Sequence, residues 1–227
     1  MASTIESMPT VPTRAERALA TRRRMVRAAY ELFCENGYLG TTITAVADAA
    51  GVAVPTVYYT FGTKAVLLSE TLGAAIVGFD LWREPPQEPI DTAEVLAWHE
   101  WWPDFEAAPT AAQALDLFVT HGAAILRRVG PLVAALHGAS GDPEAAEVAR
   151  VSEERRVDTY RAMIRALARK PGGLRRGVSQ AIATDIVVAL FSAELYQAFT
   201  VGRGWSPTRC ATFFREILAA QLLNPAP

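Results

Sequence analysis

Residues 41–68, TTITAVADAAGVAVPTVYYTFGTKAVLL, constrain the fold of this chain more than any other stretch. Thr42 followed by the apolar set Ile43, Val46 and Ala47 reads as a short helix whose first turn is capped by a hydroxyl. Gly51 supplies the positive φ that a tight turn requires, and Val52 plugs the space beneath it. Ala50 is small enough to let the next helix approach. That helix is predicted over about 54–60, with Pro55 near its start, where a missing N–H costs nothing. Val57 and Phe61 then point inward, leaving Thr56, Tyr58 and Tyr59 outside. Two short helices joined in this way have the layout of a helix-turn-helix, whose second helix enters a DNA major groove.

The segment MVRAAYELFCENGY (25–38) supplies a third helix to pack beneath the pair. Met25, Ala28, Ala29, Leu32 and Phe33 recur at spacings of three and four, so a helix is predicted from about Arg17 to Asn36. Gly37 closes it, and Tyr38 starts the loop.

The full pattern, Thr-x4-Ala-x3-Gly-Val-x3-Thr-Val-Tyr-Tyr-x-Phe-x2-Lys-x2-Leu, resembles the N-terminal DNA-binding domain of the TetR family of transcriptional regulators over about residues 22–68. Side-chain chemistry sorts the candidate DNA contacts. Val54, Pro55, Thr56 and Thr60 lie on the predicted recognition helix, where Pro55 and the Thr56 methyl suit thymine methyls. Tyr58, Tyr59 and Lys64 have the reach for phosphate, Thr42 sits at a helix N-terminus, and Arg22 precedes the apolar stripe. Each also has a plainer role open to it: Tyr58 as a core tyrosine, Lys64 as a solvated lysine, Thr42 as a cap without a ligand. The chain departs from the family pattern at three positions. Ala53 stands where a capping serine is common, Pro55 where glycine is frequent, and Thr60 where histidine often precedes the phenylalanine. These changes bear on which operator sequence is read.

Charge is distributed as such a protein needs. The net charge is −2, too low for binding nucleic acid by bulk attraction. Residues 1–64 nevertheless carry seven basic against five acidic side chains, so the acidic excess lies in the remainder. Cys34 and Cys210 fall in predicted helices and are expected to be reduced core thiols. His99, His121 and His137 lack metal-site spacing, and neither a metal nor a cofactor is expected. The opening MASTIESMPTVP has no apolar core behind a basic start, so no secretory signal is expected. No run of 18 or more apolar residues appears, so no membrane span and a cytoplasmic protein are expected.

The expected fold is all-α: a disordered tail (1–13), a three-helix DNA-binding domain (14–63), and a helical-bundle domain for effector binding and dimerisation (64–227). Thr63 caps a helix predicted to run through residues 64–82 and link the two domains, and REPPQEPIDT (83–92) breaks it. Helices are predicted at about 110–129, 131–139, 143–170, 178–201 and 207–223. The last pair has apolar faces too wide for one small domain, formed by Ile186 and Leu190 on one helix and Phe213, Phe214, Ile217 and Leu218 on the other. The resemblance implies that these helices pair in a homodimer, which would read an inverted-repeat operator in double-stranded DNA. Plain core is the alternative for both.

Trp98, Trp101, Trp102, Phe105, Phe118 and His121 are the candidate pocket for a small hydrophobic or amphipathic effector. The function expected is a transcriptional repressor released by that effector. The alternatives are an activator or an effector-independent DNA binder with a filled pocket. An enzyme using His99 with Glu100, Glu94 or Asp104 has no supporting motif: no Glu-x-x-His pair, G-x-S-x-G or P-loop is present.

Overall fold

The computed structural model describes residues 13–83 and 92–224, and within these every regular element is a helix. All of the expected disordered tail except Thr13, and most of the proline-rich tract, lie outside the described residues.

The first helix, α1 (Arg14–Gly40), starts earlier than its apolar stripe suggests. Thr13 accepts from the Glu16 amide while the Glu16 carboxylate accepts from the Thr13 amide, a reciprocal cap that fixes the start. The helical path breaks at Gly37, φ 71°, as expected. Helices α2 (Ile43–Ala50) and α3 (Val54–Phe61) form the predicted pair, turned at Gly51 with φ 64°. Thr42 caps α2 through the Ala45 amide, whereas Ala53 gives α3 no side-chain cap. Met25, Ala29, Phe33, Val46, Ala47 and Val57 fill the small core between the three.

Helix α4 (Lys64–Val77) is capped by Thr63 and is shorter than predicted. Gly78, at φ 116°, ends it, and the chain turns so that the Trp82 ring covers Gly73. Short helices α5 (Thr92–Ala97) and α6 (Trp102–Ala107) follow. The predicted break at Pro131 is absent, since α7 (Ala111–His137) runs through it. A helical proline loses one hydrogen bond and costs about 3 kcal/mol. Burial of Val129 and Leu132 on either side offsets that cost, and Gly130 lets the Gln197 side chain press against the backbone.

Helix α8 (Pro143–Ala168) carries a salt-bridged surface, with Arg150 between Glu147 and Glu154. The helix predicted over residues 178–201 is two: α9 (Gln180–Leu190) and α10 (Ala193–Thr200). Phe191 leaves the helical path at ψ 67°, its carbonyl accepts from the Tyr160 hydroxyl at 2.9 Å, and Ser192 caps the next helix through the Leu195 amide. The Phe191 ring lies against Gly122, where a Cβ would come within 2.6 Å of it. A side chain at position 122 would thus drive this ring out of the core. Residues 180–200 are long and apolar enough to cross a membrane by composition, at mean hydropathy 1.4, but here they are two helices folded against α7 and α8.

Helix α11 (Pro207–Leu222) completes the body. Phe214 and Leu218, expected at a dimer surface, are both fully buried in the protomer. Phe214 packs against Phe191 at 5.0 Å between ring centroids. They are core residues because their face of α11 turns toward α7 and α9. Ile186, Leu190, Phe213 and Ile217 remain partly exposed, beside Ile182 at 49 %.

Candidate nucleic-acid interface and effector cavity

The outer face of α3 carries the exposed residues expected of a recognition helix. Pro55 and Tyr58 are exposed, and Tyr59 is almost entirely so, at 94 %. Val54, Thr56 and Thr60 are half-buried, and the Thr60 hydroxyl donates to the Thr56 carbonyl at 2.8 Å. Thr42 is exposed at the N-terminus of α2, its hydroxyl already accepting from Ala45.

Two expected DNA contacts have other work. The Lys64 ammonium donates to the carbonyls of Tyr38 at 2.9 Å and Thr41 at 3.2 Å, and stands 4.1 Å over the Tyr38 ring. It ties the α1–α2 connection to the start of α4. Arg22 is likewise engaged: its Nε donates to Glu70 Oε2 at 2.9 Å, a second N–H donates to Glu70 Oε1, and the guanidinium lies over Phe61. Glu70 is 4 % exposed, so this is a bidentate pair holding a carboxylate out of water between α1 and α4. Arg14 and Arg17, which sequence reasoning left out of the DNA-contacting set, are exposed on the first turns of α1.

The link between the domains is made of hydrogen bonds. Arg23 Nε donates to the Trp82 carbonyl at 2.7 Å, Arg27 pairs with Asp80, and the Tyr30 hydroxyl donates to the Arg128 carbonyl at 2.9 Å. Arg128 in turn donates to the Ala75 and Ile76 carbonyls in the last turn of α4. Helices α1, α4 and α7 therefore meet at one set of bonds. The signals were there in sequence, as arginines on α1 spaced one turn apart, but their partners lie about fifty residues away.

A cavity of about 780 Å³ lies in the body, bounded by α4, α5, α7, α8 and the α9–α10 break. Leu72, Ile76, Leu126, Val129, Met163 and Phe191 are among its apolar walls. Of the six residues expected to form a pocket, Trp98, Trp101 and Phe118 line it. Trp102, Phe105 and His121 do not. They form an aromatic stack behind Trp101, in which His121 lies parallel to the Trp101 ring at 5.5 Å and Trp102 stacks on Phe105 at 4.8 Å. Their helical spacing gave a packed cluster, with the cavity on one side only.

His99, a cavity residue missed as an effector contact, is buried at 7 % exposure. Burial, with Arg128 and His121 nearby, pushes its pKa down to about 4, so it is a neutral imidazole at pH 7. Glu100 beside it is exposed. Trp82, 4 % exposed, is a second missed lining residue. Cys34 and Cys210 are free thiols, each pushed up to about 11 by burial.

Residues 25–71 match the family model of the bacterial regulatory proteins, tetR family. The match covers the helix-turn-helix end of the chain, α1 from Met25 through the first half of α4. No curated protein matches it by sequence. Among solved structures it is similar to a putative transcriptional regulator from Saccharomonospora viridis in complex with choline, at 18% identity over 91% of this chain and 99% of that one, TM-score 0.64. FadR from Bacillus subtilis, in complex with stearoyl-CoA, is 15% identical over 86% of this chain and 96% of that one, TM-score 0.63. NalD, the secondary repressor of the MexAB-OprM multidrug efflux pump in Pseudomonas aeruginosa, is 22% identical over 91% and 98%, TM-score 0.62. These likenesses establish a shared fold: a helix-turn-helix domain followed by a helical body.

Proposed function

We propose that the protein is a dimeric transcriptional repressor released from an inverted-repeat operator by a small hydrophobic or amphipathic effector. The observation that carries this reading is the cavity of about 780 Å³, because one of its walls is α4, the helix that starts directly after the recognition helix. Its volume lies within the range of small-molecule sites, and apolar side chains dominate it. A side chain–filled core, as an effector-independent regulator would have, is not what α4 faces. Similar folds hold ligands as unlike as stearoyl-CoA and choline, so the lining selects the ligand and the fold does not.

The DNA end consists of Pro55, Thr56, Tyr58 and Tyr59 on α3, with Thr42 at the N-terminus of α2. A single reading helix makes too few contacts for useful selectivity, and two related by a dimer axis read half-sites in successive grooves. The partly exposed apolar strip of Ile182, Ile186, Leu190, Phe213 and Ile217 supplies the dimer surface. Bound effector shifts the equilibrium only by its preference for one arrangement of α4 over the other, typically 1–3 kcal/mol of coupling.

Selection of bound duplexes from a random DNA library with purified protein tests this reading. An inverted repeat with half-sites about one helical turn apart is expected, and apolar compounds that bind the cavity should then release that duplex. Recovery of a single unrepeated site, or release by no cavity-binding compound, would overturn the dimeric, ligand-released repressor.

A further inference from the structure

Polar bonds tie residues 13–83 to residues 92–224 at a single place. Among the described residues, every hydrogen bond between these two stretches has Arg128 at one end. Its guanidinium donates to the Ala75 and Ile76 carbonyls at 2.7 and 3.1 Å. Carbonyls in the last turn of a helix lack partners within it, and a cation suits that negative end. The backbone carbonyl of Arg128 accepts from the Tyr30 hydroxyl of α1 at 2.9 Å. One residue of α7 thus holds both α1 and α4.

On the other side of this clamp the bonds run among themselves. Lys64 joins the start of α4 to the α1–α2 connection, and Arg22, Arg23 and Arg27 join α1 to Glu70, Trp82 and Asp80. The chain from α1 to Trp82 is therefore one bonded unit. Apolar packing also presses this unit against α7, but apolar contact is non-directional and tolerates sliding. The bonds of Arg128 do not.

The clamp lies on the seam of the cavity. Ile76 and Val77 line it from α4, and Leu126 and Val129, on either side of Arg128, line it from α7. A ligand that needs more room between these walls has to part them against the clamp. Three residues further along α7, Pro131 has no N–H to give the Arg127 carbonyl, so the helix lacks one rung beside Arg128. Helices bend at such points.

We propose that Arg128 is a latch: its bonds hold the unit ending at Trp82 in its effector-free position against α7, and the effector acts by opening them. The inference rests on the reading of the cavity as an effector site and assigns the regulation of that site to one residue. Opening a latch draws on the free energy of ligand binding, so a protein already unlatched binds the same ligand more tightly. A clamp with a structural role alone gives the opposite or no change, because loosening a wall removes contacts.

The test is a fluorescence titration of the full chain, without DNA, with N-phenyl-1-naphthylamine, an uncharged apolar dye that emits when buried. Two variants are compared with the parent. Tyr30→Phe removes one hydroxyl and keeps the ring against Phe79, and Arg128→Met removes both bonds to α4. Tyr30→Phe should bind the dye roughly two- to tenfold tighter than the parent, the range of one hydrogen bond, and Arg128→Met tighter still. Should Arg128→Met fail to fold, Tyr30→Phe decides alone. An affinity no higher than the parent's in either folded variant would overturn the latch and leave the effector cavity standing. Dye binding by none of the proteins would overturn both the latch and the effector reading beneath it.

Discussion

Replacing Arg22 with methionine should destabilise the protein by about 3 kcal/mol, although the arginine side chain is 25 % exposed. The magnitude comes from what is left behind. Glu70 keeps 3 % side-chain exposure, and a carboxylate stripped of its partner at such depth costs about 3–5 kcal/mol. Partial exposure of the arginine admits some water, which brings the figure to the lower end. The stacking of the guanidinium over Phe61 at 5.3 Å adds about 0.5–1 kcal/mol. Glu70→Gln alone should cost about 1–2 kcal/mol, since the amide retains one acceptor for Arg22. The double variant removes the charge with its partner, so its cost should fall about 2 kcal/mol short of the two single costs combined. Urea denaturation followed by helical circular dichroism reads all four proteins, at one protein concentration because the proposed dimer would couple association to stability. A loss of about 3 kcal/mol corresponds to a fall in melting temperature of about 6–12 °C for a chain of this size. Additive costs, or a loss below about 1 kcal/mol for Arg22→Met, would refute the reasoning and return Arg22 to the DNA surface.

Lys64→Met should lower stability by about 1–2 kcal/mol and leave the salt dependence of DNA binding unchanged; a salt slope reduced by about one would instead identify a phosphate contact. His99 predicts an acid-side loss. Its folded pKa of about 4 lies below the unfolded value of 6.5, so the unfolded chain takes up the proton first. Its neutral form costs nothing above pH 6.5, and stability should drop by about 3 kcal/mol as the pH falls toward 4. His99→Phe should flatten that slope in denaturation curves, and a parallel slope in the variant would rule out His99 as its source. Ile182→Glu should leave a folded protomer that sediments at half the mass, whereas Phe214→Glu should fail to fold because it buries a charge among Phe191 and Phe213. A folded Phe214→Glu monomer would restore that residue to the dimer surface.

The reading head was legible because its signals are local. Thr42, Gly51, Pro55 and Thr63 each act on a backbone amide or a φ angle within four residues, and the structure has them where the spacing put them. The body was less legible where distant residues decide the outcome. Pro131 looks like a stop, yet burial of its neighbours against other helices carries α7 through it. The run at residues 178–201 looks continuous, yet Phe191 turns its ring toward Gly122 and breaks it. Gly78 was a stop signal within an apolar pattern strong enough to mask it. The same division holds for the sites. Exposure of Tyr59 follows from helical periodicity alone. The occupation of Arg22 and Lys64 depends on Glu70, Tyr38 and Thr41, and no local pattern pairs them. Trp98, Trp101 and Phe118 could be picked out as aromatic, but nothing in their spacing separates them from Trp102 and Phe105, which pack behind the cavity.

The bonds joining α1 to the turn after α4 bear on modularity. Arg22, Arg23, Arg27 and Tyr30 precede the expected boundary at residue 63, and their partners Glu70, Trp82, Asp80 and Arg128 follow it. A chimera spliced at residue 63 would carry three arginines and a tyrosine onto a foreign scaffold with nothing to receive them. The transplantable cassette extends to Trp82, and its recipient must offer an arginine at the place of Arg128 to hold the last turn of α4. The frontier drawn by motif is thus about twenty residues short of the one drawn by contacts, and an engineered hybrid sensor would have to be cut along the second.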